Sequence, residues 1–398
     1  MRVAVLGAGL QGSCVAMELA ARGVEVDLYD QNARGMTRAS GQNEGKIHLG
    51  YVYANDSSRQ TARAMISGAV RFAPLLRKHV GADFNALPVS TPFYYVVHRQ
   101  SLLEPDSVEK HFAKSQALAA ELGNGAAPDY FGRDYHRLPA RLTAAESAEL
   151  FDERKISAAY RTEEVSIDPQ ALAELVQTRI TSEPRIHCRW NTQIQAVTPS
   201  AAGVTVHSDA GDENYDHVVN TLWHGRLAID QSAGILPDRP WLYRVKYYLR
   251  LHVPGVEIPS TTIVLGAFGD VVNYGDGHFY LSWYPSGMLG SSSAIQPPDW
   301  SEPLSSELQS NLRTAIVREL SQIVIGVRDL PPSAIESAQV KGGVIFAWGE
   351  TDINDRESEL HQRHSIGPRS FGNYHSIDTG KLTMAPLFAE QLAGKICP

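Results

Sequence analysis

The hydrophobic pattern of the 398-residue chain changes character along its length. Val3-Ala4-Val5-Leu6 is a short, wholly apolar run, the pattern of a strand buried on both faces of a parallel sheet. Ser13 to Arg22 follows with the small and apolar residues of a helix packed on that sheet, and after Gly23 a second apolar strand, Val24 to Tyr29, runs into Asp30. From Ser57 to His79 the apolar residues Ala62, Met65, Ile66, Ala69, Val70 and Phe72 recur at helical spacing. Asp168-Pro169 places an acid at a cap and a proline in the first turn of an amphipathic helix, Pro169 to Ile180. Strand-like runs follow at Ile186 to Trp190, Thr192 to Val197, Val204 to His207 and Val218 to Thr221, and Met384 to Ala393 closes the chain as a helix.

Two interruptions have a different texture. The first, 81–151, holds a strand Thr91 to His98, a helix Asp106 to Leu122 and a loop rich in Gly, Asp and Tyr from Gly123 to Arg137. The second, 226–339, holds Arg244 to Val253, Thr261 to Leu265 and Phe279 to Tyr284, rich in β-branched and aromatic residues, with Asp276-Gly277 as a hairpin turn. These are the marks of an antiparallel sheet. On the strand from Arg244, alternation puts Lys246, Tyr248, Arg250 and His252 on one face, either a cationic wall suited to a carboxylate or an ordinary solvated face. Trp283 and Tyr284 either wall the same pocket or pack elsewhere.

The turn between the first strand and helix, Gly7-Ala8-Gly9-Leu10-Gln11-Gly12, carries the clearest chemistry. Gly7 allows a tight turn, Gly9 lets the backbone approach a pyrophosphate, and Gly12 lets helix and strand pack closely. The phosphates would lie over the helix N-terminus, where N–H groups and the macrodipole favour negative charge. Asp30 stands at the offset where a carboxylate meets ribose hydroxyls, with Gln31 beside it. The fold class is therefore α/β plus α+β: a Rossmann-like nucleotide-binding domain from 1–80, 152–225 and 340–398, with an inserted antiparallel-sheet substrate domain from 81–151 and 226–339.

Composition narrows the class. With 36 Lys and Arg against 44 Asp and Glu, the net charge of −8 and the lack of a basic run argue against a nucleic-acid binder. Cys14, Cys188 and Cys397 are scattered, without the spacing of a disulfide framework or zinc site, and the lone pair His361 and His364 indicates no metal. The first strand begins almost at Met1 and no apolar run is long enough to span a bilayer, so the expectation is a cytoplasmic protein with no transmembrane segment.

Arg38-Ala39-Ser40-Gly41-Gln42-Asn43-Glu44-Gly45-Lys46-Ile47-His48-Leu49-Gly50 is a Gly-rich polar loop, followed by Tyr51. Its Ser-x-x-Asn-x-Gly-x-x-His-x-Gly pattern resembles that of FAD-dependent oxidoreductases of the D-amino-acid oxidase superfamily, most of all the branch with L-2-hydroxyglutarate and glycerol-3-phosphate dehydrogenases. Arg363-His364-Ser365-Ile366-Gly367, followed by His375-Ser376-Ile377-Asp378-Thr379-Gly380-Lys381-Leu382-Thr383, resembles the segment that closes over the isoalloxazine ring in the same superfamily, with Thr379 where a first glycine is more usual.

The resemblance implies a GR2-type flavoprotein with FAD as cofactor. It places Gly7, Gly9, Leu10, Gln11, Gly12, Asp30, Gln31, Ser40, Asn43, Gly45 and Lys46 on the adenosine, pyrophosphate and ring portions. It adds the backbone near Ile194 at the adenine, Thr221, Leu222 and Trp223 beneath the phosphates, and Thr379, Gly380, Lys381, Leu382 and Thr383 at the flavin. Leu222-Trp223-His224 stands where Ala-Gly-Trp is common. His48 is the first candidate for a base or substrate contact and His375 the second; structural hydrogen bonding is the alternative for His48. Lys381 is expected to hold the pyrimidine edge or balance the charge of reduced flavin, or else to be a surface cation.

Lys246, Tyr248, Arg250 and Tyr284 are the expected substrate contacts. The implied reaction moves a hydride from a small CH–OH or CH–NH carbon to flavin N5, a 2-hydroxy acid first and an amine or amino acid second, with oxygen or another electron acceptor as partner. A nicotinamide dehydrogenase would explain the first glycine turn and leave Gly380 to Thr383 without a purpose; a flavin-binding protein without catalysis would keep both ends of the chain.

Overall fold

The computed structural model describes residues 1–122 and 129–398. Three larger sheets organise them. A six-stranded sheet has the order Gly367–Phe371, Tyr374–Asp378, His217–Asn220, Arg2–Leu6, Glu25–Tyr29, Ile186–Arg189, parallel throughout except for the hairpin of the first two strands. The apolar first strand is buried on both faces. Val3 and Val5 join the core beneath the helices Leu10–Ala21, Gln60–Val80 and Ala385–Ile396, while Ala4 and Leu6 join the core beneath a three-stranded antiparallel sheet, Ile194–Ser200, Gly203–Ser208 and Gly211–Tyr215. Leu10–Ala21 lies between the sheet and Ala385–Ile396 and is buried from Leu10 to Ala20, which explains its small, apolar composition.

The second layer is a nine-stranded sheet. Its long central strand, Trp241–His252, pairs with Met288–Ser292 and His278–Trp283 on one side and with Gln339–Trp348 on the other. The sheet continues through Gly269–Asn273, Thr261–Val264, Tyr94–His98, Ile156–Arg161 and Ala140–Arg141, antiparallel except where Thr261–Val264 runs parallel to Tyr94–His98. The expected Asp276-Gly277 turn joins Gly269–Asn273 to His278–Trp283, with positive φ at Gly275, Asp276 and Gly277.

Two strands depart from the expected partition. Ile156–Arg161, placed with 152–225, and Gln339–Trp348, placed mainly with 340–398, belong to the nine-stranded sheet rather than to the nucleotide-binding layer. Gln339–Trp348 carries Gly342-Gly343 and shows no clear two-residue alternation; its pairing with Trp241–Arg250 supplies what its local sequence lacks. Both glycines are close approaches, because a Cβ on Gly342 would lie 2.6 Å from the Tyr247 ring and one on Gly343 2.6 Å from the Gln42 carbonyl oxygen.

The short pair Lys46–Ile47 and Val165–Ser166 ties the polar loop to the chain leaving the large sheet. Of the expected loop Gly123 to Arg137, residues 123–128 lie outside the described residues; Tyr130, beyond them, is buried and its hydroxyl donates to the Ile47 carbonyl at 2.6 Å. Among the described residues no helix is long and apolar enough to cross a membrane.

Candidate active site

A cavity of about 1170 Å³ runs between the two sheets, above the ~300–1,000 Å³ usual for small-ligand sites. The glycine turn, the polar loop, Ile194, Thr221 to Trp223 and the Thr379 to Leu382 turn line it from the nucleotide-binding layer; Arg244, Lys246, Tyr248, Thr262, Asp270 and Tyr280 line it from the large sheet.

At the glycine turn, Gly7 has φ +94°, and a Cβ on Gly12 would lie 1.9 Å from the Gly7 carbonyl oxygen, so neither position accepts a larger residue without displacement. A Cβ on Gly9 would sit 2.9 Å from Ser40 Oγ, which accepts the Leu10 N–H at 2.8 Å at the N-terminus of Leu10–Ala21. Asp30 closes the turn by accepting the Ala8 N–H at 3.0 Å. Thr221 reaches across the sheet and donates to the Leu6 and Gly7 carbonyls at 2.7 and 2.9 Å.

The ends of the chain meet here. Gln11 donates to the Ala385 carbonyl at 3.0 Å and accepts from the Thr379 hydroxyl at 3.1 Å. Gly380, at φ +61°, turns the chain against Ile366, with its N–H donated to Asp378 at 3.1 Å.

The other part of the cavity is crowded with charge. Arg244 is buried, and its Nη1 donates to Tyr284 at 2.7 Å and to Asp352 at 2.8 Å. Among the described residues the Arg363 guanidinium donates only to main-chain carbonyls, those of Leu360 at 3.0 Å and Phe346 at 3.1 Å, and burial beside Arg244 brings it down to about 10. Lys46 Nζ lies 2.7 Å from Asp270 and over the Phe93 ring at 4.4 Å; burial pulls it down, but Asp270, Glu164 and Glu44 outweigh burial and raise it.

Burial brings Lys381 down to about 8 against the pull of Glu44. Glu44 itself is held below the usual carboxylate range, because Lys381, Lys246 and Lys46 overcome the cost of its burial. His48 is depressed well below an ordinary imidazole by burial and then by Lys381 and Lys46, and its Nδ1 is a buried atom without a hydrogen-bond partner, as is the Tyr53 hydroxyl.

The family model for FAD dependent oxidoreductase (DAO) matches residues 2–392. The chain belongs to the DAO family of FAD-dependent oxidoreductases. FAD is its cofactor. The fold is similar to glycine oxidase from Geobacillus kaustophilus at TM-score 0.68 and 13% identity, covering 98% of this chain and 94% of that one. It is similar to L-alpha-glycerophosphate oxidase from Mycoplasma pneumoniae at TM-score 0.69 and 13% identity, covering 100% and 94%. In sequence, FAD-dependent monooxygenase FPY4 of Fusarium mangiferae is 33% identical over 85 residues, so the match spans 21% of this chain and 23% of that curated relative.

The residues present fit FAD. The bare Gly9 surface leaves room for a pyrophosphate where a side chain would intrude, Asp30 lines the cavity with a carboxylate that could meet ribose hydroxyls, and the buried orphans His48 Nδ1 and Tyr53 Oη belong to residues of the same cavity wall. Of the expected cofactor residues, Gly7, Gly9, Leu10, Gln11, Asp30, Gln31, Ser40, Asn43, Lys46, Ile194, Thr221, Leu222, Trp223, Thr379, Gly380, Lys381 and Leu382 line the cavity.

Gly12, Gly45 and Thr383 stand behind it instead. Gly12 packs on Gly7, and Gly45, at φ +65°, would place a Cβ 1.9 Å from the Ile167 carbonyl oxygen. Thr383 Oγ1 accepts the His48 N–H at 3.1 Å and donates to the Lys46 carbonyl at 3.2 Å, joining the polar loop to the C-terminal turn.

Among the expected substrate and catalytic residues, Lys246, Tyr248, Tyr284, His48 and Lys381 line the cavity; Arg250 and His375 do not. Arg250 pairs instead with Asp168 at 2.5 Å, the N-cap residue of Pro169–Ser182. His375 sits between His217 at 3.1 Å and Ser370 at 2.9 Å, on its strand but away from the cavity, and burial brings it down to about 4.

Arg244 has the same strand parity as Lys246, so the alternation that pointed to Lys246 also pointed to it. Arg363 lies outside the regular elements, two residues after the 3-10 helix Glu359–His361. Its sequence signal is its place at the head of the segment that resembles the flavin-closing one.

Proposed function

We propose that the protein oxidises a small carboxylate-bearing molecule at a CH–OH or CH–NH carbon, a 2-hydroxy acid first. The observation that carries this reading is Arg363, a half-buried guanidinium in the cavity wall with only main-chain carbonyl acceptors among the described residues. Its planar fork matches a carboxylate. Lys246 and Lys381 add positive charge to the same wall, which attracts an anion and disfavours a second cation such as a substrate ammonium. FAD, when bound, supplies the hydride acceptor. The chain's residues orient the substrate, exclude water and hold the heteroatom proton, for which His48 is a neutral acceptor in the wall.

Glu44 and Asp270 on that wall support a second reading, an amino acid whose ammonium meets the carboxylates. Two neighbours, glycine oxidase and L-proline dehydrogenase from P.horikoshii, carry amino-acid names, and the latter has TM-score 0.66, 15% identity and coverage of 99% and 92%.

Anaerobic mixing of the flavin-loaded protein with matched panels of 2-hydroxy acids, amino acids and uncharged alcohols tests both readings. Bleaching of the flavin band by hydroxy acids is the expected result. Bleaching by amino acids alone selects the second reading, and reduction only by uncharged alcohols would overturn both.

A further inference from the structure

Behind His48 lies a carboxyl group that the cavity wall does not use. Glu164 is 0% exposed, yet it is tied to the very loop that carries His48. One of its oxygens accepts the Leu49 N–H at 2.6 Å, and the other accepts the Tyr95 hydroxyl. Oε1 lies 4.0 Å from His48 Nδ1, the buried nitrogen that has no hydrogen-bond partner. His48 itself lines the cavity, so with Nδ1 turned inward the other ring nitrogen, Nε2, is the one that can meet a ligand. A buried carboxyl costs several kcal/mol unless its environment supports it, and this one is held where a protonated imidazole would repay the cost.

We infer that Glu164 is the positioning residue of His48: it keeps the Nδ1 proton facing inward, leaves Nε2 free toward the cavity, and balances the imidazolium when Nε2 takes up a proton. During oxidation the substrate C–H leaves as hydride to bound FAD, the O–H or N–H proton goes to His48 Nε2, and the C–O or C–N bond becomes double. Two electrons and two protons' worth of hydrogen are thereby accounted for. The inference rests on the proposed oxidation only for this last step; the placement of the proton on the ring does not need turnover.

The charges around the ring agree with the assignment. Lys46 on the same loop, Lys381 on the C-terminal turn and Arg363 all oppose a protonated His48, and Asp270 on the large sheet favours it. Three cations against one fixed anion leave an imidazolium uncompensated unless Glu164 contributes. Burial raises the Glu164 carboxyl to about 7, with Lys46 and Tyr95 pulling it back.

Histidine-selective ¹⁵N NMR of the flavin-loaded protein tests this directly, with the His48 signal assigned by its loss in His48→Asn. The expected spectrum has Nδ1 protonated and Nε2 unprotonated in the neutral ring. Glu164→Gln, which retains size and an acceptor for Leu49, is expected to lower the His48 midpoint by about one pH unit or more, and Glu164→Asp to restore part of that shift. With an active substrate, Glu164→Gln lowers kcat and moves its pH profile while KM changes little.

An unchanged tautomer and midpoint in Glu164→Gln overturns the inference, whatever the activity. A shifted midpoint in a protein whose flavin no substrate reduces sustains the His48–Glu164 pair and instead removes the proposed oxidation. Should Glu164→Gln fold poorly, Tyr95→Phe removes the partner of Oε1 and moves the same midpoint; no movement there, with Glu164→Asp also silent, counts against the pair.

Discussion

At the scale of single residues, charge in a dry wall decides what the cavity accepts. Truncating one partner of a buried charge pair costs about 2–5 kcal/mol. Arg363→Ala is therefore expected to raise KM for a carboxylate substrate on the order of a hundredfold, with FAD content unchanged, and Arg363→Lys to recover only part because it loses the fork. Rapid-mixing measurement of flavin reduction against substrate concentration checks both. Lys381 gives a pH signature. Burial holds it at about 8, so it carries its charge below that pH and loses it above. The affinity of a non-reacting carboxylate such as propionate is expected to fall as pH rises through about 8, and Lys381→Met to abolish that step. A flat profile would show that Lys381 does not face the anion. Lys246 and Lys381 were legible as chemistry because strand parity and a glycine turn frame them. Arg363 opened a segment that resembles the flavin-closing one, but its place in the cavity wall was not legible, since distant segments put it there and no local pattern encodes that.

At the scale of elements, the βαβ unit was legible almost residue by residue, because apolar runs, a glycine turn and an acid each have a local physical reason. The strand expected at Val3 to Leu6 is Arg2–Leu6, and the helix expected from Ser13 to Arg22 begins earlier, at Leu10, directly after Gly9. Gly9→Val is expected to lower FAD content sharply with the fold retained: its Cβ meets only the Ser40 hydroxyl, which can turn aside at the cost of its bond to the Leu10 N–H, whereas a pyrophosphate cannot share that space. Absorbance ratio and circular dichroism of the purified variant measure the two effects.

Gln339–Trp348 was not legible, because a strand with paired glycines owes its existence to a partner about a hundred residues away in the chain. The same non-local control moves Arg250 out of the expected substrate wall. Asp168 caps Pro169–Ser182 by accepting the Gln170 N–H at 2.8 Å and also takes the Arg250 ion pair, so Arg250 joins a helix terminus to the large sheet. Arg250→Met is expected to lower the melting temperature, through loss of a largely buried pair worth about 3 kcal/mol, and to leave KM within about twofold. A KM effect comparable with that of Arg363→Ala would return Arg250 to the substrate wall.

At the scale of the whole molecule, one cavity is assembled from elements that are far apart in sequence, and this couples cofactor binding to global stability. The N-terminal helix and the C-terminal helix pack together, Gln11 bridges them, and Arg22 donates to the Cys397 carbonyl at 2.7 Å. The large sheet supplies the opposite wall. A ligand bound across such a wall stabilises only the state in which both layers are folded and docked, by RT ln(1 + [L]/Kd), or about 3 kcal/mol at a hundredfold excess over Kd. FAD is therefore expected to raise the melting temperature of the apoprotein in a concentration-dependent way. Release of flavin fluorescence should coincide with loss of secondary structure in one transition. The terminal bridge predicts the same coupling from the protein side. Gln11→Ala removes the bonds to Ala385 and Thr379 without placing new bulk in the cavity, so it should weaken FAD binding and narrow the gap in melting temperature between apoprotein and holoprotein. Flavin released well before the sheets melt, or a Gln11→Ala protein with an undiminished FAD-dependent shift, would mean that the two layers and the two chain ends act independently at the cofactor.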